Sequence, residues 1–449
     1  TKCIAMIHQL SLKNKSTKKH TQEFRQCFAL NRNSVGFNKE TKDVTYTLVS
    51  DKAEGAFIWD IDGNKYIDLT MGFGSVLFGH GHPPIRQAIE EQLQKSWSVG
   101  PISPLAGKLA REICRTTGVE RVAFFNSGTE AVMVALRIAK AINRKNYVVF
   151  FQGAYHGTFD PLLTIKNHFD TNVAKEMFPG ITQSILNESY LLEYGSEESL
   201  DFIRKHKDEI AAVLAEPVQS RNPGFQPKAY LQELRRLTEE CNIALIFDEV
   251  ITGFRIHTGG CQKYFNIQAD IVTYGKVIGG GLPIGIVAGK AQFLDATDGG
   301  YWTYDDDSCP AVKPTFVAGT FCHHPLAMAA SLKTLELLNE SKGKILCELN
   351  DTTEQYCDAL NNFFLENGYP FSINYFGSLF RITTPGKSSF IYYQLLLNGV
   401  YIWEGRNCFL SPSHTEEVLL ILRQNIEMSC RQLVQQGYIK QKTADKIST

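Results

Sequence analysis

Two charged residues suited to amine and carbonyl chemistry follow two apolar runs of the sequence. Asp248 comes directly after residues 243–247, and Lys276 comes two residues after 270–274. Both runs lack alternation between apolar and polar residues, which is typical of strands buried in a parallel sheet. Such strands deliver the residues that follow them to the ligand-binding edge of an α/β sheet. We therefore expect Asp248 and Lys276 to lie together at that edge.

The pair has the chemistry needed to hold pyridoxal phosphate (PLP) at both ends of its ring. A lysine amine can form an imine with an aldehyde, and a buried carboxylate can keep a pyridine nitrogen protonated, which makes the ring an electron sink. Each residue alone also has an ordinary explanation. Lys276 could be a solvated surface lysine, and Asp248 with Glu249 could form a turn or a helix cap. The hypothesis therefore depends on further residues of the same site.

An anion site is predicted at residues 126–130, Asn-Ser-Gly-Thr-Glu, between a strand and a strongly helical run. Backbone amides and hydroxyls at a helix N-terminus bind phosphate well. An ordinary N-cap formed by Ser127 or Thr129 explains the same pattern equally well. Three further segments follow strands or precede a helix: 153–157 with Tyr155, 216–219 with Glu216, and 318–321. They add a ring-stacking aromatic, a second carboxylate and a hydroxyl-bearing turn.

Composition limits the kinds of partner that this protein can have. The 449 residues carry 46 basic and 47 acidic side chains, so there is no overall charge to attract nucleic acid. No apolar run approaches the roughly 18 residues that span a bilayer, and no signal-like segment begins the chain, so we expect a cytoplasmic protein. The 11 cysteines include no CxxC pair, which favours reduced core residues over a disulfide framework or a metal site.

The motifs, taken in order, resemble those of the class III aminotransferases, the PLP enzymes that include glutamate-1-semialdehyde aminomutase. The segments NSGTEAV, AYHG, EPVQ, FDEVITGFR, YGKVIGGGLPIG and AGTF stand in family order between residues 55 and 330. The resemblance implies an α/β protein of fold type I. It would have a large domain with a mostly parallel seven-stranded sheet and a smaller α+β domain.

The same resemblance, combined with the strand and helix pattern, suggests a domain division. Residues 1–25 would be a linker, because they are polar and basic, and 26–95 an N-terminal arm that contributes to the small domain and to dimer contacts. Residues 96–326 would form the large PLP-binding domain and 327–449 the C-terminal small domain. A hairpin is predicted within 55–69, around the turn Asp62-Gly63. The chain begins with Thr1, which suggests a segment cut from a longer polypeptide, although processing or a trimmed tag would explain it equally well.

The resemblance also implies a role for each matching residue. Lys276 would bind the cofactor and act as base, Asp248 would contact the pyridine nitrogen, and Glu216 would be a third catalytic residue at the cofactor edge. The homodimer would share its active site, because Thr320 would reach the phosphate bound by the neighbouring subunit. The expected cofactor-binding residues are Ser127, Gly128, Thr129, Tyr155, His156, Glu216, Asp248, Val250, Lys276 and Thr320.

Departures from the family point to the substrate. Gly36 or Phe37 stands where the aminomutase has an arginine that binds the substrate carboxylate, and Met71-Gly72-Phe73-Gly74 replaces a tryptophan-containing segment. The chain looks most like aminotransferase domains of hybrid polyketide synthases and nonribosomal peptide synthetases. Those domains aminate a β-ketoacyl thioester tethered to an acyl carrier protein during lipopeptide biosynthesis, with glutamine or glutamate as amino donor. A thioester has no free carboxylate to bind.

Several alternatives stay open at this point. Phe73, Trp403, Glu404 and Arg406 are candidate substrate residues, but Trp403 could simply pack in the small domain and Glu404 could pair with Arg406 at the surface. His414 could be a helix cap or a surface residue. A glutamate-1-semialdehyde-type 2,1-aminomutase, another small-molecule ω-aminotransferase and a catalytically inert scaffold are the competing functions. The presence of Lys276 and Asp248 argues against the scaffold.

Overall fold

The chain divides into two compact units in this computed structural model. The structure describes residues 2–34, 37–166, 174–384 and 390–441. The first unit consists of Thr1–His82 with Leu349–Thr449, and the second unit is Pro83–Glu348. No helix in these described ranges is both long and apolar enough to cross a membrane.

Helices and strands alternate along most of the chain. The α-helices are α1 Lys2–Lys13, α2 Lys15–Phe24, α3 Pro83–Leu93, α4 Pro104–Thr117, α5 Gly128–Asn143, α6 Gln183–Leu186, α7 Glu197–Lys205, α8 Lys228–Glu240, α9 Gly260–Phe265, α10 Ala291–Leu294, α11 Pro325–Glu340, α12 Lys344–Glu366, α13 Phe390–Leu397 and α14 Glu416–Gln435. The strands are β1 Ser50–Glu54, β2 Phe57–Asp60, β3 Lys65–Asp68, β4 Arg121–Phe125, β5 Tyr147–Phe151, β6 Thr164–Lys166, β7 Ala174–Glu176, β8 Ser189–Leu192, β9 Ile210–Ala215, β10 Ala244–Asp248, β11 Ile271–Gly275, β12 Gly285–Gly289, β13 Ser372–Phe376, β14 Leu379–Thr383, β15 Val400–Tyr401 and β16 Cys408–Phe409.

A seven-stranded sheet forms the centre of the second unit, in the order β4-β12-β11-β10-β9-β5-β8. The pairs β5·β8, β5·β9, β9·β10 and β10·β11 are parallel, whereas β12 runs antiparallel to both of its neighbours. The predicted mostly parallel seven-stranded sheet is therefore confirmed.

The central strands are buried along their whole length because their sequences are apolar on both faces. Every residue of β9, β10, β11 and β12 is buried. Helix α5 packs on this sheet and contributes its buried face, which includes Val134, Leu136 and Ile138, to the same apolar core. Each such aliphatic side chain contributes about 1.5–3 kcal/mol relative to an exposed position. The apolar core thus holds the strand ends that carry the candidate site residues.

The apolar runs 243–247 and 270–274 coincide with β10 and β11 to within one residue, but β12, which pairs with β11, was not predicted. β12 is only five residues long and has glycine at both ends, so its sequence lacks a clear strand pattern. Its position explains one of those glycines. A Cβ atom on Gly285 would lie 1.9 Å from the carbonyl oxygen of Ser127. Glycine therefore allows β12 to pass beside the loop that precedes α5.

Two small sheets dominate the first unit. One has the order β1-β2-β3-β15, and the other is β13-β14-β16. Strands β2 and β3 pair antiparallel across the turn that contains Asp62-Gly63, which confirms the predicted hairpin. β15 joins this sheet in parallel with β3, so residues near both ends of the chain share one sheet.

The segment predicted as a linker, residues 1–25, instead forms helices α1 and α2 over its described part. Ile7 and Leu10 of α1 are buried in a cluster with Val44 and pack against side chains of α13. In the lysine-rich stretch 13–20, Asn14 and Thr17 are buried, whereas the other side chains are partly or fully exposed. The prediction failed because few apolar residues are enough to bury one face of a short helix.

A buried polar contact fastens α1 and α2 to the β2–β3 hairpin. The Asn14 amide donates to Asp60 Oδ2 at 2.9 Å and to the Tyr66 hydroxyl at 2.8 Å, and Asn14 is fully buried. Asp60 also accepts the Tyr66 hydroxyl at 2.9 Å. Removing the amide would leave these buried groups without one of their donors.

We expect Asn14→Ala to lower the melting temperature by a few degrees, because losing these bonds costs about 1–3 kcal/mol. Differential scanning calorimetry measures the change. Gln26→Ala, at an exposed position, is the matched control and should leave the melting temperature unchanged. Equal melting temperatures for both variants would contradict a structural role for the N-terminal helices.

Candidate active site

Three candidate residues meet at one edge of the central sheet because their strands are parallel. Glu216 follows β9, Asp248 is the last residue of β10, and Lys276 follows β11. The register pairs Phe247 with Ala215 and Asp248 with Thr273, so the three strands end at nearly the same level. The structure therefore brings Glu216, Asp248 and Lys276 to a common edge, as predicted.

The Asp248 carboxylate is buried and held by three donors. His156 Nδ1 lies 2.7 Å from Oδ2, while the Thr273 hydroxyl and the backbone amide of Val250 donate to Oδ1, each at 3.1 Å. The contact with Oδ2 makes Nδ1 of His156 the donor atom. His156 Nε2 is buried and has no partner in the described part of the chain. Thr273 was missed in the sequence, because a threonine inside a strand looks like any β-former.

Glu216 is buried and holds the loop that carries Tyr155. Its Oε2 accepts the Tyr155 backbone amide at 2.9 Å, and its Oε1 accepts the amide of Ser220 at 3.2 Å. Burial raises the pKa of Glu216, and the charge of Asp248 raises it further, whereas His156 opposes both effects. The contacts describe a carboxylate that positions a backbone loop, and the predicted catalytic role of Glu216 stays a prediction.

Lys276 has the backbone strain often found at functional residues. Its φ angle is 44°, in the left-handed region that a lysine rarely adopts. Burial lowers the pKa of the amine, and the charges of Asp248 and Glu216 act in the opposite direction. The Arg255 guanidinium lowers this pKa further. A lowered pKa increases the fraction of neutral amine, the form that attacks an aldehyde or accepts a proton.

The N-terminus of α5 is packed closely against the neighbouring loops. Ser127 is the N-cap of this 16-residue helix, and its hydroxyl accepts the Glu130 amide at 3.2 Å, so the ordinary capping role is confirmed. A Cβ atom on Gly128 would lie 2.9 Å from Val250 Cγ1, and one on Gly157 would lie 2.3 Å from Thr129 Oγ1. Glycine at these positions lets backbone approach closely, as a bound phosphate requires.

Tyr155 and Thr320 occupy exposed positions within the second unit. Tyr155 is 41% exposed, so its ring has a free surface, and the Arg221 guanidinium lies 5.3 Å from the ring centroid. Arg221 was not identified in the sequence. Thr320 is exposed in the turn before α11. Neither side chain is buried in the core of the second unit, so both can contact other molecules.

These residues fit PLP. The second unit supplies an amine of lowered pKa, a buried carboxylate with fixed orientation, a glycine-lined helix N-terminus and an exposed aromatic ring. They match the aldehyde, the ring nitrogen, the phosphate and the ring face of the cofactor. The position of each group relative to a bound cofactor stays a prediction.

The candidate substrate residues lie in the first unit. The rings of Phe73 and Trp403 meet edge to face with centroids 4.7 Å apart, so Trp403 does pack against a neighbour. Glu404 and Arg406 are exposed, and no ion pair joins them in the described ranges, which makes the surface-pair alternative wrong. Gly36 lies outside the described residues.

His414 is neither a surface residue nor a helix cap. It is buried, its Nδ1 lies 3.0 Å from the Ser411 hydroxyl, and its Nε2 lies 3.1 Å from the carbonyl oxygen of Asp68. Burial lowers the pKa of His414 to about 4. Thr415 is the N-cap of α14 instead. The sequence could not reveal this, because a lone histidine carries no pattern of burial.

Comparison with known proteins agrees with this site. Residues 38–434 match the family described as Aminotransferase class-III. A glutamate-1-semialdehyde 2,1-aminomutase of Sulfolobus acidocaldarius is 38% identical over 341 residues, which cover 75% of this chain and 77% of that protein. Among solved structures, an omega-transaminase from Sphaerobacter thermophilus matches with a TM-score of 0.82 and 26% identity over 92% of this chain and 97% of that chain. A transaminase with PLP bound matches with a TM-score of 0.79 and 25% identity over 94% and 99% of the two chains.

The fold and the site together define a fold-type I PLP enzyme. The chain belongs to the class-III aminotransferase family, and it is a PLP-dependent aminotransferase. The predicted family, cofactor and enzyme class are thereby confirmed. The roles assigned to single residues stay predictions.

We expect the purified protein to show a visible absorbance band from PLP bound to Lys276. Lys276→Ala should abolish this band, because the amine that reacts with the aldehyde is gone. Lys290→Ala is the control, since this lysine pairs with Asp270 at 2.7 Å and lies outside the site residues. Absorbance spectra after incubation with PLP decide the question, and a wild-type protein that stays colourless would contradict the assignment.

Thr273→Val should weaken PLP binding about 5- to 10-fold, because Asp248 loses a hydroxyl donor worth about 1 kcal/mol. Fluorescence titration of the apoprotein with PLP gives the dissociation constant. Thr334→Val is a matched control, because this threonine is equally buried and its hydroxyl donates to the Ala330 carbonyl oxygen at 2.9 Å. Equal PLP affinity in the two variants would rule out a role for Thr273 in holding Asp248.

Proposed function

We propose that this aminotransferase aminates a β-ketoacyl chain held as a thioester on an acyl carrier protein, with glutamine or glutamate as amino donor. The observation that carries this proposal is the absence of an arginine at Gly36 or Phe37, where the aminomutase has the arginine that binds a free carboxylate. A thioester substrate has no such group to neutralise, and an arginine facing it would be left without its partner. A second difference from the aminomutase supports the same substrate class. Met71-Gly72-Phe73-Gly74 replaces the tryptophan-containing segment of that enzyme.

The site residues divide the work of amino transfer. PLP, when bound, supplies the electron sink that stabilises negative charge at the donor's α-carbon. Lys276 Nζ takes the proton from that carbon, for which its lowered pKa is suited. His156, Thr273 and the backbone amide of Val250 hold the Asp248 carboxylate in one orientation. Glu216 keeps the Tyr155 loop in place through two backbone amides.

The proposed assembly is a homodimer in which Thr320 completes the partner's phosphate site. Its support is a group of exposed aromatic residues that lie near Thr320 in the sequence of the second unit. In the segment of about twenty residues around Thr320, four aromatic side chains are more than half exposed: Tyr301, Tyr304, Phe316 and Phe321. Apolar patches of this kind on a folded surface mark sites of association. A threonine hydroxyl at such a surface is placed to contact a group bound by another chain.

Thr320→Ala should weaken PLP retention several-fold in the dimer through the loss of one hydrogen bond to phosphate. Equilibrium dialysis measures the affinity, and analytical ultracentrifugation checks that the dimer persists. Thr303→Ala is the control, because this threonine lies in the same exposed region and bonds only to neighbouring side chains and backbone. Unchanged PLP affinity in Thr320→Ala would count against a shared site.

A second candidate function is a 2,1-aminomutase reaction or another small-molecule ω-aminotransfer. The curated relative from Sulfolobus acidocaldarius bears the aminomutase name, and this similarity supports the second candidate more directly than the first. The two differ in their need for a donor. The aminomutase moves an amine within one small molecule, whereas the tethered reaction consumes an external amino acid.

Intact-mass spectrometry separates the candidates. For the favoured function, a β-ketoacyl carrier protein should change to its β-amino form only in the presence of both the enzyme and an amino acid donor. Lys276→Ala serves as the inactive control. Turnover of glutamate-1-semialdehyde without any added donor, together with an unchanged carrier protein, would overturn the favoured function and establish the second candidate.

A further inference from the structure

A cavity of about 210 Å³ lies in the second unit between α5 and the edge of the central sheet. Its apolar walls include Leu136 of α5, Val148 of β5 and Phe159 from the loop after β5. A cavity of roughly 150 Å³ that was engineered into another protein binds benzene, so this one has room for an aromatic ring and a few further atoms. The cavity is therefore large enough for a small ligand, and no sequence pattern indicated it.

The cavity is separate from the candidate active site. Val148 comes three residues before the carboxyl end of β5, which is a distance of about 10 Å along the strand. Its register partner on β8 is Ser189, the first residue of that strand. The candidate catalytic residues stand instead at the carboxyl ends of their strands. The cavity floor thus lies toward the amino ends of β5 and β8, away from the reacting groups.

A buried hydroxyl without a hydrogen-bond partner lines this cavity. Ser189 is only 3% exposed, and its Oγ forms no hydrogen bond in the described part of the chain. Residues paired across adjacent strands lie on the same face of a sheet, so Ser189 is on the face of Val148, which packs in one apolar cluster with α5. A buried donor that stays unpaired is unfavourable, and a ligand oxygen would satisfy it.

Three of the side chains that line the cavity are charged, and their charges do not balance. Lys140 pairs with Glu188 at 2.8 Å. Within residues 2–34, 37–166, 174–384 and 390–441, Arg137 donates one hydrogen bond, to the Phe316 carbonyl oxygen at 2.8 Å, and pairs with no carboxylate. A guanidinium has five N–H donors, so most of those on Arg137 are available. The cavity therefore combines apolar walls with one uncompensated positive charge.

These features select the chemical class of the ligand. The apolar walls favour an apolar body, because contact with it removes apolar surface from water. The Arg137 guanidinium favours a carboxylate, whose two oxygens match its paired N–H donors. A purely apolar molecule would leave both Ser189 and Arg137 without an acceptor, and a highly charged anion would lose its hydration against the apolar walls. A small organic acid satisfies all three parts of the cavity.

We propose that this cavity binds a small carboxylic acid with an apolar body. The carboxylate pairs with Arg137, and an oxygen of the ligand accepts the Ser189 hydroxyl. The site is independent of the proposed function, because none of its residues belongs to the candidate active site. Binding adds apolar contacts to α5, the helix whose N-terminus is the predicted phosphate site.

Ligand-detected NMR titration of the PLP-loaded protein with phenylacetate tests the site directly. We expect saturable binding to the wild type, and Arg137→Gln should weaken it about 5- to 10-fold because a charge-assisted pair is lost. Phenylacetamide, the neutral analogue, should bind more weakly and show no dependence on Arg137. Arg111→Gln is the matched control, since this exposed arginine of α4 lies outside the cavity and should leave phenylacetate binding unchanged.

A second variant blocks the cavity itself. Ile185 lines it and is 38% exposed, so Ile185→Trp should fill the space from the solvent side, abolish phenylacetate binding and leave the PLP absorbance band unchanged. Wild type without saturable binding overturns the proposal, as does equal affinity in wild type, Arg137→Gln and Ile185→Trp. Analytical ultracentrifugation supplies a further check. A dimer that dissociates in Ile185→Trp would make this face a contact between copies of the chain and would also overturn the ligand site.

Discussion

The parallel register of β9, β10 and β11 is the constraint on which the active site depends. Because the three strands end at one level, Glu216, Asp248 and Lys276 lie at the same edge although they are separated widely in sequence. A slip of one residue in this register would turn Asp248 to the opposite face of the sheet. The buried apolar runs of these strands fix the register, so the packing of the core determines where these three candidate residues lie.

A buried carboxylate at this edge needs donors, and the structure supplies them from three different segments. His156 comes from the loop after β5, Thr273 from β11 and the Val250 amide from the turn after β10. Without them Asp248 would bear the cost of burying an unpaired charge, which is several kcal/mol. The same enclosure that makes these donors necessary lowers the pKa of Lys276. One environment thus orients the Asp248 carboxylate and lowers the pKa of the Lys276 amine.

Much of this architecture could be predicted from local patterns. The strands that end at Asp248 and before Lys276 are continuous apolar runs, and the capped start of α5 follows from Ser127 and the helical sequence after it. Sequence patterns did not predict helices and strands whose apolar runs are short or interrupted by charged residues. Helices α1 and α2 have a polar sequence typical of a linker because few apolar residues bury them, and β12 lacks a strand pattern because glycine is a poor strand former.

The sequence by itself determined the cofactor chemistry, since the types and order of Asp248, Lys276 and the motifs around them are specific to this class of enzyme. Only the tertiary structure decided which distant groups touch them. That Thr273 donates to Asp248, that His414 is buried, and that Arg32 covers Trp403 are consequences of contacts between segments far apart in the chain. Local patterns report the neighbours of a residue along the chain, whereas hydrogen bonding, burial and charge depend on its neighbours in space.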